Sequence, residues 1–351
     1  MTADILFSAF NDFGVITLNR PEALNALTWD MVKLMRAKLI EWERSPAVKA
    51  ILIKGAGDRA FCAGGDVRWL YDNAREDVER ACGFFHEEYR LNALIHHYSK
   101  PYVALIDGIV MGGGVGVSAH GDFRVAGDRT LFAMPETAIG MFPDVGGAHF
   151  LPRLHDGLGL YYALTGARAK AADCVAAGVA THYVASDQMA VLERELIGLA
   201  LGGHPHAAIE AVLDEFAGDP GEAHVNQIRP ALKRLFDGHA TFDRFYAALK
   251  ADGHDVAGDM LRILGRMSPT SLKLTFEQLR RGRALDFDDV MKMEFRIVSR
   301  IIKGHDFYEG VRAQIVDKDK APLWSPASVE GVAASDIAKY FEPLAKELTL
   351  P

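Results

Sequence analysis

The sequence has few cysteines and no long apolar run, and each absence argues against a class of protein. Its three cysteines, at positions 62, 82 and 174, are odd in number and have no paired spacing. That pattern argues against a disulfide framework or a zinc site and fits a reducing compartment. No segment reaches membrane-spanning length, and the N-terminal MTADILFSAF lacks a basic region followed by a long apolar run. A cytoplasmic protein is therefore expected.

The sequence also lacks a large excess of either positive or negative charge. The 351 residues include 39 Lys and Arg against 47 Asp and Glu, which gives a net charge of −8. Such a balance provides no general attraction to nucleic acid or to an anionic membrane, so neither is an expected partner. The net charge does not exclude the binding of a small anionic ligand, because such a ligand needs only a few local cations. With 49% hydrophobic residues, the chain can bury a large core in one or two domains.

The sequence is organised around residues 100–153, in which apolar strand-like segments end in turns. The first segment is followed by the glycine-rich run GGGVG at 112–116, and the last leads to Glu136 and Asp144 in turn-rich sequence. Consecutive glycines after a strand let a backbone or a ligand approach closely, and acids on loops held by rigid elements are typical of catalytic groups. Glycine N–H donors together with two acids therefore indicate chemistry on a carbonyl group.

Strand and helix patterns alternate in the first half of the chain, whereas the second half is almost entirely helical. Two apolar segments around Asn11–Phe13 predict a hairpin, and Thr28 predicts the N-cap of a helix over 29–44. Helical sequence dominates 67–97, and further helices are predicted at 206–216, 223–236, 241–250, 270–281, 287–303 and 306–317. These patterns predict an α/β protein with a catalytic core over 1–200 and a helical C-terminal region over 201–351.

Three blocks of the sequence resemble the crotonase (enoyl-CoA hydratase/isomerase) superfamily: Leu18–Leu27, Ala60–Asp66, and Gly112–Gly116 with Pro135-Glu136. The similarity is strongest to one branch, the 3-hydroxyisobutyryl-CoA hydrolases. It is found in Glu87-Glu88-Tyr89, MGGGVG with His120-Gly121, FAMPETAIG at 132–140 and FPDVGG at 142–147. The resemblance covers residues 5–200, and the length with a helical tail suits the branch. It implies a crotonase-like spiral of ββα units.

The resemblance also implies an oxyanion hole, in which two main-chain N–H groups bind the carbonyl oxygen of an acyl-CoA thioester. By motif position these donors are Gly65 and Gly113, each on a glycine-rich turn after a strand. Such donors stabilise the charge that develops on the oxygen, and the loss of one typically costs about 10²–10³-fold in rate. Acyl-CoA is therefore the expected partner. No cofactor and no metal are expected, since CoA is part of the substrate.

Glu136 matches the carboxylate that superfamily members have after their proline, and Asp144 matches the aspartate of the hydrolase branch. One acid would attack the thioester or activate water, while the other would protonate the leaving thiolate or orient that water. Attack by Glu136 to give an anhydride and general-base action by Glu136 both stay open. Hydratases of the superfamily have a second glutamate where this chain has Gly116. The resemblance thus favours hydrolysis, foremost of 3-hydroxyisobutyryl-CoA in valine catabolism.

Further substrate contacts are implied by motif position. Glu88 would bind the 3-hydroxyl of the acyl group, and Gly113, Glu136 and Asp144 would also touch the substrate. The remaining implied contacts lie in two short blocks, Glu22, Ala23 and Leu24 along the CoA and Ala63, Gly64, Asp66 and Val67 around the donor Gly65. Arg20, Lys54 and Arg68 lie nearby in the sequence, and which of them reaches the CoA phosphates stays open. The block at 22–24 would act largely through its backbone.

Several alternatives compete with this interpretation. Two other functions stay open: a hydratase or isomerase of the same fold, and a non-catalytic CoA-binding protein. A homo-oligomer also stays open, because relatives often form trimers or hexamers. Residues 114–119 fit the dinucleotide pattern GxGxxA, but that fingerprint should directly follow its strand, and residues 107–111 intervene. No GxSxG motif of a serine hydrolase occurs. The histidines lack metal-ligand spacing.

Overall fold

The computed structural model describes residues 3–350, and the strands within this range form two sheets. They are β1 Ile5–Phe10, β2 Phe13–Leu18, β3 Ala50–Gly55, β4 Ala60–Cys62, β5 Tyr102–Leu105, β6 Ile109–Met111, β7 Phe123–Ala126, β8 Leu131–Ala133, β9 Ala169–Lys170 and β10 His182–Tyr183. The first sheet has the order β1-β2-β3-β5-β7-β10, and the second has the order β4-β6-β8-β9. The expectation about the N-terminal segment rests partly on Met1 and Thr2, which lie outside the described residues.

From β3 to β8, successive strands alternate between the two sheets. β3, β5 and β7 are parallel neighbours in the first sheet, and the strand that follows each of them along the chain joins the second sheet. Parallel neighbours cannot be joined by a tight hairpin, so each needs a crossover connection. In this fold each crossover contains one strand of the other sheet and a helical segment. The α/β class and the repeating ββα pattern predicted from the sequence are confirmed.

Helices make up most of the remaining described chain. They are α1 Trp29–Arg44, α2 Val67–Ala74, α3 Val78–His96, α4 Gly113–Gly116, α5 Gly147–Phe150, α6 Leu158–Thr165, α7 Ala171–Ala177, α8 Met189–Gly198, α9 Pro205–Phe216, α10 Val225–Phe236, α11 Phe242–Asp252, α12 Asp255–Leu264, α13 Pro269–Gly282, α14 Phe287–Ile301, α15 His305–Val311 and α16 Ala334–Lys339. Thr28 caps α1, as predicted, by accepting a hydrogen bond from the Met31 N–H at 3.2 Å. In residues 3–350, no helix is both long and apolar enough to cross a membrane.

The structure corrects the predicted elements at several points. The helical sequence over 67–97 forms two helices, because Asp77 accepts a hydrogen bond from the Arg80 N–H and starts α3 with a new cap. α8, α12 and α16 were not predicted. β6 was also missed, since three residues are too few to show a strand period. Because β6 leads directly into the glycines, the argument that no strand immediately precedes them is wrong.

The Cα positions group into two compact units, each assembled from segments that are distant in sequence. Of the described residues, unit 1 contains 3–65, Arg90–Phe132 and Arg168–His224, and unit 2 contains Asp66–Tyr89, Ala133–Ala167 and 225–350. In unit 1, apolar side chains of β2, β3, β5 and β7 pack against α8 and α9. The division predicted between residues 200 and 201 stays a prediction.

Candidate active site

Two glycine-rich turns in unit 1 hold the predicted oxyanion donors, and we call them the donor loops (residues 62–65 and 112–114). They follow β4 and β6, which are parallel neighbours, so both turns leave the same edge of the second sheet. A Cβ atom added to Gly64 would lie 3.7 Å from the main-chain nitrogen of Gly113 and 3.4 Å from the carbonyl oxygen of Met111. The two donor loops therefore lie side by side, as the interpretation of Gly65 and Gly113 requires.

Short-range contacts fix the conformation of these loops. Gly64 has a φ of 118°, which favours glycine, and its carbonyl accepts a hydrogen bond from the Leu27 N–H at 2.8 Å. A Cβ on Gly114 would lie 2.3 Å from the carbonyl oxygen of Cys62, so only glycine lets α4 approach β4 this closely. Gly113 is the first residue of α4, where a main-chain N–H has no partner inside the helix. Such an N–H can bind an oxyanion.

Asn25, a fully buried residue that the sequence analysis did not single out, joins the predicted CoA-binding blocks. Its side-chain amide donates hydrogen bonds to the carbonyl oxygens of Ala56 at 2.9 Å and Ala60 at 2.8 Å. Its Oδ1 accepts a hydrogen bond from the Arg20 N–H at 2.9 Å. One buried amide thus ties the segment containing Glu22, Ala23 and Leu24 to the loop before β4.

The other predicted CoA contacts differ in how free their side chains are. The Ala63 N–H donates to the Leu24 carbonyl at 3.0 Å, which brings the two predicted blocks together. Asp66 accepts a hydrogen bond from the Trp69 N–H at 3.1 Å and caps α2, which begins at Val67. Of the candidate cations, Lys54 is paired with Glu193, Arg68 with Asp72, and Arg20 with Asp4. Any of these cations would have to leave or share its partner to bind a phosphate.

Three of the predicted substrate-binding acids lie together in unit 2, and we call Glu88, Glu136 and Asp144 the acid cluster. Glu88 comes from α3, Glu136 begins the short 3-10 helix Glu136–Ile139, and Asp144 lies before α5. All three are buried. Burial is the main cause that raises the pKa of each, to about 6 for Asp144, and the charge of Asp144 further raises the pKa values of Glu88 and Glu136. Burial therefore shifts each of the three carboxyl groups towards its protonated form.

Hydrogen bonds divide the acid cluster into one anchored acid and two that keep an unpaired oxygen. The Tyr89 hydroxyl donates to Asp144 Oδ2 at 2.8 Å and lowers the pKa of Asp144 against the effect of burial. Glu136 Oε2 and Glu88 Oε1 are buried without a hydrogen-bond partner in the described part of the chain. An unpaired buried carboxyl oxygen is costly, so this arrangement suits groups that bind or react with a ligand.

Two residues of the helical tail that the sequence analysis missed support the turn around Asp144. Glu294 of α14 accepts hydrogen bonds from the main-chain N–H groups of Gly146 at 2.8 Å and Ala148 at 2.9 Å. Gln278 of α13 donates to the Pro143 carbonyl at 2.8 Å and to Glu294 at 3.1 Å. The available signal was an acid within the apolar stripe of a predicted helix, where a charged residue is rare.

No group of three His, Cys, Asp or Glu side chains in residues 3–350 is arranged to hold a metal ion. The expectation that neither a metal nor a cofactor takes part stays a prediction. The roles assigned above to the donor loops and to the acid cluster also remain predictions, because the geometry places these residues without testing what they do.

Alternating ββα units and adjacent glycine donor loops define a fold of the crotonase class. The model of the enoyl-CoA hydratase/isomerase family matches residues 13–341. The chain therefore belongs to this family, within the crotonase superfamily. It is 45% identical to the mitochondrial 3-hydroxyisobutyryl-CoA hydrolase of Danio rerio, over 97% of this chain and 90% of that protein.

Two further comparisons agree on the family but differ in the activity that their names give. The mitochondrial 3-hydroxyisobutyryl-CoA hydrolase of Xenopus laevis is 47% identical, over 94% of this chain and 86% of that protein. A crystal structure described as a carnitinyl-CoA dehydratase from Mycobacterium thermoresistibile is 41% identical, with a TM-score of 0.92 over 99% of both chains. The superfamily and fold predicted from the sequence are confirmed.

Proposed function

We propose that the protein hydrolyses the thioester of 3-hydroxyisobutyryl-CoA to 3-hydroxyisobutyrate and CoA. The main support is the buried pair Glu136 and Asp144 in a chain that is 45–47% identical to hydrolases named for this substrate. In this proposal the N–H groups of Gly65 and Gly113 bind the thioester oxygen. Glu88 binds the 3-hydroxyl group of the acyl chain through its unpaired Oε1.

The acid pair divides the chemistry of hydrolysis. An oxygen of Glu136 attacks the carbonyl carbon and expels the thiolate, and water then cleaves the resulting anhydride; alternatively, Glu136 takes a proton from the water that attacks. In both routes the C–S bond breaks, one water is consumed in forming the free acid, and the sulfur receives a proton. Asp144 has a raised pKa of about 6 and accepts the Tyr89 hydroxyl. It is therefore suited to protonating the sulfur or orienting the water.

Hydration of an enoyl-CoA is the second candidate, and the name of the dehydratase structure favours testing it. Gly116 argues against it, because hydratases use a glutamate at that position and this chain has no side chain there. Gly116 is buried, and its carbonyl accepts a hydrogen bond from the Asn92 side-chain amide at 3.0 Å. The second acid of a two-carboxylate hydration is thus missing at its usual place.

A thiol-trapping assay with 3-hydroxyisobutyryl-CoA tests the proposal, with crotonyl-CoA absorbance as the parallel measurement of hydration. We expect CoA release to exceed hydration, and we expect Glu136→Gln to lower CoA release by about 10²–10⁴-fold while substrate still binds. No CoA release from the wild type, or equal rates in wild type and Glu136→Gln, would overturn the proposal. Faster hydration than hydrolysis would favour an enoyl-CoA hydratase. Tight binding of acyl-CoA without turnover would favour a non-catalytic CoA-binding protein.

The setting of the reaction is part of the same proposal. We place it in valine catabolism, with no cofactor beyond the CoA of the substrate. The sequence predicts a cytoplasmic protein, whereas the hydrolases of Danio rerio and Xenopus laevis are named as mitochondrial. Size-exclusion chromatography with light scattering would test the homo-oligomer that relatives of this fold often form.

A further inference from the structure

The turn that holds Asp144 has an unfavourable backbone conformation. Val145 directly follows Asp144 and has a φ of 52°, in the left-handed region that a β-branched residue rarely adopts. Gly146 also has a positive φ, of 86°. Such a conformation persists only when its surroundings fix it, and strained residues of this kind are frequent at active sites. The turn therefore needs support from outside its own sequence.

Two tail helices of unit 2 provide this support. The Glu294 carboxylate accepts hydrogen bonds from the N–H groups of Gly146 and Ala148. The Gln278 amide donates hydrogen bonds to the Pro143 carbonyl and to Glu294 itself. Both side chains are fully buried. Asp144 is thus bracketed in the chain by main-chain groups bound from α13 and α14.

Close backbone packing reinforces the same contact. A Cβ added to Gly282, one turn after Gln278 on α13, would lie 2.2 Å from the carbonyl oxygen of Ala148. Only glycine at this position lets α13 lie this close to the start of α5. The hydrogen bonds of Glu294 and Gln278 are therefore made to a turn that already lies against the backbone of α13.

We propose that Glu294, supported by Gln278, is a positioning residue that fixes the turn so that the Asp144 carboxylate meets the Tyr89 hydroxyl and the reacting group. This inference rests on the proposed hydrolase function. Glu294 acts through main-chain atoms rather than on the substrate, so its loss lowers the rate of the chemical step more than substrate binding. A misplacement of about 1 Å at a catalytic group can cost about 10²-fold in rate.

The first variant is Glu294→Gln, which keeps the size of the side chain but turns one accepting oxygen into an NH₂ group. That NH₂ would face a main-chain N–H, so one of the two hydrogen bonds is lost. We expect kcat for thioester hydrolysis to fall by about 10–100-fold with KM changed much less. Gln278→Met, which is close in size, should lower kcat by a smaller factor and remains informative if Glu294→Gln does not fold.

Lys273→Met is the matched control for loss of stability. Lys273 is a buried charged residue of α13 that pairs with Asp243 and donates to the Val332 carbonyl, so it does not contact the turn. Its variant should lose thermal stability but keep the wild-type kcat per folded molecule. A merely structural role for Glu294 would make Glu294→Gln behave like Lys273→Met.

A double-mutant cycle separates positioning from general damage. If Glu294 acts through Asp144, then Glu294→Gln should lower kcat far less in the Asp144→Asn background than in the wild type. The same factor of loss in both backgrounds, or a wild-type kcat in both Glu294→Gln and Gln278→Met, would overturn the inference. Absence of thioester hydrolysis in the wild type would instead refute the proposed function.

Discussion

The donor loops of unit 1 and the acid cluster of unit 2 differ in whether the buried polar groups around them have hydrogen-bond partners. Asn25, which supports the donor-loop region, makes three hydrogen bonds within its own unit. Glu136 and Glu88 each keep a buried oxygen without a partner among the described residues, at a typical cost of about 1–3 kcal/mol per group. Main-chain donors can thus be fixed by a well-satisfied scaffold, whereas acids that must react are held at the expense of stability.

The strongest way to break this comparison is to remove the unpaired acid. Glu136→Gln should lower kcat/KM for thioester hydrolysis by about 10²–10⁴-fold, because an amide can neither attack the carbonyl nor accept a proton from water. Stability should not fall, since the removed carboxyl group was unfavourably buried and one of its oxygens has no hydrogen-bond partner in the described part of the chain. CoA release and thermal unfolding measure the two effects. Substantial activity in this variant would mean that another group performs the first step.

On the other side of the comparison, Gly114→Ala should disturb the donor loops. The added Cβ would meet the Cys62 carbonyl oxygen at 2.3 Å and displace β4 or α4. We expect a rate loss approaching the 10²–10³-fold typical for one oxyanion donor, and a fall of about 1–3 kcal/mol in the free energy of unfolding. Gly202→Ala in the same unit is the control, because its Cβ meets nothing within 4 Å. Equal behaviour of the two variants would contradict the prediction.

The Asp144→Asn variant tests the claim that the buried acids cost stability, because its free energy of unfolding should depend on pH differently from that of the wild type. Burial raises the pKa of Asp144 to about 6 from an unfolded value of 3.8, so its favourable contribution is complete below about pH 4 and is lost as pH rises through 6. Asparagine does not titrate, so the Asp144→Asn variant does not lose this stability as the pH rises. Denaturant unfolding should therefore show a gain of about 1–3 kcal/mol at pH 8 and little gain at pH 4. A larger gain at pH 4 would reverse the assigned sign.

The smallest expected effect comes from Tyr89→Phe. The Tyr89 hydroxyl bond lowers the pKa of Asp144, so its removal raises that pKa further and moves the acid limb of kcat/KM to higher pH. Burial also raises the pKa values of the neighbouring groups Glu88, Glu136 and Glu294. The rate at pH 7 should fall by about tenfold. A pH–rate profile identical to that of the wild type would exclude this role for Tyr89.

The sequence was sufficient wherever the relevant residues are close together in the chain. The glycines of both donor loops, Glu136 after its proline and Asp144 in PDVGG can all be found because each lies in a contiguous motif. The adjacency of the two loops was expected only from the resemblance, since the strand β6 that explains it has three residues and no period.

What the sequence could not provide is long-range support. Glu294 lies 148 residues beyond Gly146, and neither it nor Gln278 belongs to a recognisable motif. Their helices were predicted, but a polar residue within an apolar stripe has no partner that can be named before the fold is known. The sequence does not mark the break between α2 and α3 for a related reason, since Asp77 is one acid among many until its hydrogen bond to Arg80 is seen.

Gly282 has a practical consequence for protein engineering. Because α13 touches the start of α5 with no room for a side chain, a chimaera that takes the motifs of residues 5–200 and another protein's C-terminal half would have to reproduce this fit by chance. Grafts of the activity onto related scaffolds should therefore exchange residues 143–148 together with α13 and α14 as a single cassette.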